Sequence, residues 1–166
     1  MFAISGRVGG VIGGFSVYCT GENGTISGRI GGLIRGGDIN LYYSNNEVRG
    51  RLGGAVIGKD VVLERMDDTL FGRLGGVIDG RDLRLETDGT KIWGRVGGEV
   101  IGFSAELYWQ DGFLSGRLGG QVFGHDVNLE AAGADPLLAG LVACLTYYYY
   151  QVTESKHSGG AHGHSN

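Results

Sequence analysis

The chain has 166 residues, which is enough for one domain that buries a sizeable core without disulfides or metals. Its 35 glycines recur on a 22-residue cycle and not at every third residue, so a collagen helix is excluded. The formal net charge of −4 argues against a protein that binds nucleic acid.

A Gly-Arg pair opens six successive copies of one motif. The pair occurs at residues 6, 28, 50, 72, 94 and 116, so the spacing is 22 each time. Copies such as "GRLGGAVIGKDVVLER" and "GRLGGVIDGRDLRLET" fill residues 2 to about 131. A fixed period of this length is typical of architectures in which each repeat is one supersecondary unit.

The first half of each copy predicts a half-buried strand, because apolar and polar residues alternate. In the fifth copy the stretch "KIWGRVGGEVI" places five residues on one face: Ile92, Gly94, Val96, Gly98 and Val100. The second copy repeats this face with Ile26, Gly28, Ile30, Gly32 and Ile34. We expect these faces to point inward.

The second half of each copy predicts a shorter strand, with Val61 and Leu63 facing inward in the third copy. Two kinds of tight turn are expected between the strands. Gly-x pairs favour type II′ turns: Gly58-Lys59, Gly80-Arg81, Gly102-Phe103 and Gly124-His125. Pairs of Asn, Asp and Gly favour type I′ turns: Asn23-Gly24, Asn45-Asn46, Asp67-Asp68 and Asp111-Gly112. Six copies therefore predict twelve antiparallel strands in up-and-down order.

The pattern changes after Glu130 to "AAGADPLLAGLVACLTYYYYQVTES". Asp135 is a candidate N-cap and Pro136 suits the first helical position. The stretch 137–150 has no charged residue, is too short to span a bilayer, and must be surrounded by apolar neighbours. We predict one domain over residues 1–151 with a helix at about 136–151, followed by a flexible tail at 152–166.

Three architectures accept this pattern, and a mostly β, closed barrel fits best. Twelve strands at ~4.8 Å spacing and ~40° tilt give a radius of roughly 12 Å, and a central helix needs about 10 Å to the wall. We predict a 12-stranded antiparallel up-and-down barrel of six 22-residue hairpin repeats around the buried C-terminal apolar helix. Inward glycines such as Gly28 and Gly32 would make room for that helix.

Two other architectures stay open. The alternative is a β-solenoid with one turn per repeat, which would be a structural subunit that polymerises into fibres. The third is a transmembrane barrel with its apolar face outward, although no aromatic girdles occur at the strand ends.

Twelve meandering strands around the central helix "DPLLAGLVACLTYYYY" resemble the tubby-like barrel. Tubby C-terminal domains, phospholipid scramblases and LURP-one-related proteins share that fold. The resemblance covers nearly the whole chain but is architectural. The cysteine-rich segment and acidic calcium motif of scramblases are absent, and the basic residues that tubby domains present to phosphoinositides have no match here. The resemblance implies a non-enzymatic binding or scaffold module that associates with phospholipid or with a protein partner.

An outward ring of arginines is the first candidate site: Arg7, Arg29, Arg51, Arg73, Arg95 and Arg117. This arginine belt has a structural interpretation, in which it pairs with carboxylates on neighbouring strands: Asp38, Asp60, Asp82, Glu106 and Asp126. In the functional interpretation it binds phosphate or carboxylate groups.

Aromatic residues form two further candidate features. Tyr147 to Tyr150 would cap the barrel mouth with their rings, or stack on a ligand. Trp93, Trp109, Phe71 and Phe113 gather near one set of turns, and all but Trp109 are expected to point outward as a patch that recognises a partner.

The sequence predicts no catalytic site, cofactor or resident metal. His125 is the only histidine before the tail and has no nucleophile or carboxylate pair beside it. The tail histidines His157, His162 and His164 could hold zinc or nickel, but a disordered tail is the preferred interpretation. Reduced thiols at Cys19 and Cys144, with no visible signal peptide, favour a cytoplasmic monomer that is not transmembrane, with a peripheral membrane location as an option.

Overall fold

The computed structural model describes residues 1–10, 13–32, 34–54, 58–120 and 124–160, with side chains as far as residue 154. It contains twelve strands and one C-terminal helix, α1, at Pro136–Gly160. The strands are β1 Phe2–Val8, β2 Phe15–Glu22, β3 Thr25–Gly31, β4 Gly36–Tyr43, β5 Glu47–Gly53, β6 Gly58–Met66, β7 Thr69–Leu74, β8 Arg81–Thr87, β9 Lys91–Gly97, β10 Gly102–Gln110, β11 Phe113–Gly119 and β12 Gly124–Glu130.

The twelve strands form the predicted closed antiparallel barrel. Each strand pairs with its neighbours in the sequence, and β1 closes the ring by pairing with β12 from Ser5↔Glu130 to Val8↔Val127. A parallel solenoid has no such closing pair, so the alternative architecture is not favoured. Successive strands run in opposite directions, so the barrel has two ends. We call the end where α1 begins the turn end, and the opposite end the loop end.

The core is the space between the barrel wall and α1. Inward side chains of the strands, such as Ile39, Leu85 and Val96, are fully buried. On α1, Leu141 and Leu145 are also fully buried. Because apolar side chains cover α1 on all sides, only a wall that surrounds it can remove them from water.

The start of α1 is capped as the sequence predicts. The Asp135 carboxylate accepts hydrogen bonds from the backbone N–H of Leu137 at 2.8 Å and of Leu138 at 3.4 Å. The Arg65 guanidinium donates to the same carboxylate at 2.8 Å, which ties the helix start to β6. The cap therefore fixes where the helix enters the barrel. The helix does not stop near residue 151 as predicted but continues to Gly160, the last residue that the structure describes.

Two of the four predicted type I′ turns are observed at the turn end: Asn23 and Gly24 both have positive φ, at 52° and 77°, and Asp111 and Gly112 do too. The other two predictions were wrong, because Asp67 has positive φ but Asp68 does not, and neither Asn45 nor Asn46 does. In the fourth copy Asp88 lies in a longer connection, where its carboxylate accepts hydrogen bonds from the N–H groups of Lys91 and Thr90. These bonds stabilise the charged form and lower the pKa of Asp88.

The predicted type II′ turns at the loop end were wrong. Gly58, Gly102 and Gly124 start strands, and each pairs with the last glycine of the preceding strand, as in Gly97↔Gly102. The connection is therefore a loop that precedes the predicted turn. The long strands are shorter than predicted, and Ile34 and Val100 project into solvent instead of facing inward.

The inward glycines do not make room for the helix. A Cβ atom at Gly50 would lie 2.8 Å from Leu41 Cα on the adjacent strand. Gly28 and Gly116 likewise meet neighbouring strand backbone, while a Cβ at Gly76 or Gly98 would meet nothing within 4 Å. Gly28, Gly50 and Gly116 thus permit close approach of strands within the wall. Gly76 and Gly98 lie in the loops between strands.

Replacement of Leu141 by Asp should unfold the domain. An unpaired carboxylate in this position costs several kcal/mol, comparable to the total stability of a small domain, about 5–15 kcal/mol. Urea denaturation followed by circular dichroism measures the loss. Val62→Asp is the matched control, because Val62 lies on the outer wall with 44% exposure and should shift the midpoint little. An unchanged midpoint for Leu141→Asp would contradict a core built on α1.

The two free cysteines provide a test of closure. Cys19 on β2 and Cys144 on α1 are buried, and burial raises the pKa of each thiol to about 12. Both thiols should stay protonated and unlabelled by iodoacetamide at pH 8, and should react at the unfolded rate in urea. Rapid native-state labelling, measured by mass spectrometry, would show that the wall opens.

Candidate functional site

The loop end carries an unusual surface of aliphatic side chains. Ile34, Val77, Ile78 and Val100 are 98%, 92%, 93% and 96% exposed, and Ile101 is exposed as well. We call these five residues the crown. They lie in the β3–β4, β7–β8 and β9–β10 connections. The apolar residues of the other three connections (11, 12, 55–57, 122 and 123) lie outside the described residues.

The crown loops owe their shape to glycines on both sides. In the β9–β10 connection, Gly97 has φ of +91°, and a Cβ atom there would meet the carbonyl oxygen of Ile101. The N–H of Gly98 donates to that same carbonyl at 2.8 Å and closes the loop. This bond leaves Glu99 and Val100 at the tip of the loop with Ile101 directly after them, and all three side chains are exposed.

The arginine belt braces these loops. Arg29 donates to the carbonyl of Gly32 at 3.0 Å, and Arg95 donates to that of Gly98. Arg7, Arg51 and Arg73 make the same kind of bond to a loop carbonyl three or four residues ahead. The belt therefore fixes the loops to the outer wall.

The same arginines pair across strands, as the structural interpretation predicts. Four pairs join residues nine apart: Arg29–Asp38 at 3.2 Å, Arg51–Asp60 at 2.5 Å, Arg73–Asp82 at 2.8 Å and Arg117–Asp126 at 2.5 Å. Arg7 and Arg95 donate instead to serine hydroxyls, on Ser16 and Ser104. Glu106 lies elsewhere and pairs with Lys91. Because belt donors are engaged within the chain, the crown and not the belt is the candidate contact surface.

Four consecutive tyrosines fill the barrel mouth beneath the crown. Successive helical residues point about 100° apart, so Tyr147 to Tyr150 reach the wall in four directions. Tyr147 packs edge-on against Phe103, and Tyr150 against Phe15. The hydroxyl of Tyr148 is buried without a hydrogen-bond partner, whereas we expected the hydroxyls to point to water. Burial disfavours the phenolate and raises the pKa of all four side chains.

The other predicted aromatic residues lie away from the crown. Phe71, Trp93 and Phe113 are on alternate strands, each near the start of its strand at the turn end. Phe113 is 56% exposed and Trp93 36%, while Trp109 packs against the core. Ring contacts among the described residues do not join them, so the structure does not bring them together as one cluster.

Charge is divided unevenly between the two ends. Acidic side chains mark the turn end: Glu22, Asp67, Asp68, Asp88 and Asp111. The loop end has the belt and three further cations, Arg35, Lys59 and Arg81, but also three further carboxylates, Asp79, Glu99 and Glu154. Since four belt arginines are paired with aspartates and the further charges balance, the described loop end carries only a small excess of positive charge.

The crown does not stand out in the sequence because Ile34, Ile78 and Val100 continue the inward alternation of the preceding strand. The available signal was the glycine pair before each apolar stretch and the glycine after it, which together indicate a loop. Within the described part of the chain, no three side chains form a metal-binding group. The candidate metal ligands His157, His162 and His164 lie outside the described side chains.

Two neighbouring glycines of one crown loop should differ in how much stability is lost when each is replaced by alanine. Gly97→Ala should cost about 1–3 kcal/mol, because alanine disfavours its positive φ and the Cβ meets backbone. Gly98→Ala should change stability by less than about 0.5 kcal/mol, because the space around it is open. Thermal unfolding measures both, and equal effects would contradict the loop geometry.

Among the described residues, no helix has both the length and the apolar character needed to cross a membrane. Comparison with known proteins identifies no relative: no family model, curated protein or solved structure gives a significant match.

Proposed function

We propose that this protein is a non-enzymatic binding module that docks, as a cytoplasmic monomer, on the surface of a phospholipid membrane through its crown. The observation that carries the proposal is the exposure of aliphatic tips at one end of a rigid barrel. Isolated exposed apolar residues are ordinary, but a set gathered at repeat-equivalent positions marks an interaction surface.

The chemistry of the crown favours lipid over a protein partner. Its side chains are valine and isoleucine, whereas protein interfaces concentrate their energy in tryptophan, tyrosine and arginine. Aliphatic tips that insert side by side suit the acyl boundary of a bilayer. The loop end, with its small excess of positive charge, would face anionic headgroups, and the acidic turn end would face away.

The end of α1 is compatible with this orientation. The helical backbone continues past Glu154, and residues 155–160 add about 9 Å to its length. Their sequence is serine, lysine, histidine and glycine, which suits the polar headgroup layer. The tubby-like resemblance supports lipid association by analogy of architecture alone.

Sedimentation with vesicles of phosphatidylcholine and phosphatidylserine tests the proposal. The double variant Val77→Ser with Ile78→Ser should bind at least roughly tenfold more weakly, since each lost aliphatic group removes about 1–2 kcal/mol of burial. Val62→Ser is the matched control, because it removes an exposed aliphatic side chain on the outer wall.

Higher salt should weaken binding to the anionic vesicles only slightly, because the excess of positive charge at the loop end is small. Failure of the unsubstituted protein to bind, or equal binding by the crown variant at unchanged thermal stability, would refute the proposal.

A further inference from the structure

A groove of about 880 Å³ opens at the loop end between the β1–β2 connection, the β3–β4 connection and α1. Four glycines, at positions 13, 14, 31 and 32, contribute to its lining, so part of its surface has no side chains. The rest of the lining combines apolar side chains, such as Phe15 and Ile34, with charged side chains, such as Arg35 and Glu154. The groove therefore has the mixed character of a small-molecule site.

Arg35, which lines the groove, has guanidinium donors whose hydrogen bonding is incomplete. Its Nε and Nη2 atoms are shielded from solvent and have no hydrogen-bond partner among the described residues. The nearest carboxylate, that of Glu154, lies 4.0 Å from Nη2, which is ion-pair distance but too long for a hydrogen bond. Guanidinium donors without an acceptor are costly, and the Arg35 side chain as a whole is 39% exposed, so an anionic oxygen that enters the groove can approach the guanidinium.

An apolar track lies beside Arg35. Phe15 is buried and packs edge-on against Tyr150, with 5.1 Å between the ring centroids. Ile34, the residue before Arg35, is almost fully exposed and borders the same groove. An aliphatic chain placed along these side chains would cover apolar surface that water now contacts.

We propose that the groove binds one anionic amphiphile, whose carboxylate or phosphate pairs with Arg35 and whose aliphatic chain lies along Phe15, Ile34 and Tyr150. A guanidinium recognises either anion through paired N–H donors. Glu154 opposes binding, because it places a like charge beside the incoming head group. This site takes a single soluble molecule and does not depend on membrane docking.

Calorimetric titration of the full chain with decanoate and with decyl phosphate, below their micelle concentrations, tests the proposal. Both should bind. Decanol, which lacks the charge, and inorganic phosphate, which lacks the chain, should bind at least tenfold more weakly. These two probes separate an amphiphile site from a purely apolar site and from a site for free phosphate.

Two substitutions should act in opposite directions. Arg35→Gln should weaken decanoate binding at least tenfold, and Glu154→Gln should strengthen it severalfold. Arg81→Gln is the matched control, because Arg81 is another loop-end arginine, hydrogen-bonded to Gln151 at 2.7 Å and not part of the groove lining. It should leave decanoate binding unchanged.

The thermal midpoint of each variant shows that it is folded, and Glu154→Gln preserves the test if Arg35→Gln does not fold. The crown variant Val77→Ser with Ile78→Ser should keep decanoate binding even where vesicle binding is lost, so the two proposals fail separately. Absence of decanoate and decyl phosphate binding, equal binding by Arg35→Gln, or unchanged binding by Glu154→Gln would overturn the inference.

Discussion

The need to bury α1 on every side is the constraint on which the rest of the structure depends. A helix with one apolar stripe can lie on a sheet, but the stretch from Leu137 to Leu145 is buried around its whole circumference. A flat or two-layered sheet would leave one face of the helix exposed to water. Twelve strands provide a ring of the right radius, and a 22-residue hairpin is the unit that builds it. The closed sheet also has no free edge strands among the described residues, which removes the usual route to aggregation of β-proteins.

The two ends of the barrel are built by different chemistry, and the difference gives the molecule a direction. At the turn end, polar pairs such as Asn23-Gly24 make compact turns whose side chains suit water. At the loop end, glycines on both sides of each loop hold aliphatic residues outside the core, while belt arginines such as Arg29 attach the loops to the wall. The exposed apolar groups are therefore fixed in position by backbone geometry and hydrogen bonds. A surface of this kind needs little reorganisation when it binds.

The barrel, the cap at Asp135 and the pairing of Arg51 with Asp60 could be predicted from sequence, because each follows from a two-residue alternation or a constant spacing. The loop boundaries could not. Val100 and Val96 are an even number of residues apart, so they fall on the same face of an alternating pattern. Alternation therefore cannot show whether the strand continues to Val100 or has already ended. What ends β9 is the positive φ of Gly97, a conformation that glycine permits without requiring. The groove beside Arg35 was also beyond prediction, because it combines two loops of different repeats with the end of α1.

The position of α1 after all twelve strands has a consequence for biosynthesis. All twelve strands leave the ribosome before the helix that they enclose, so the wall is made before its core. The emerging hairpins present apolar inner faces with nothing to cover them until Leu137 and its successors are translated. The closing pair of β1 and β12 joins opposite ends of the repeat array through four residue pairs, and such long-range contacts form slowly. Folding of this barrel is therefore completed only once α1 has been translated, when the wall wraps around the helix.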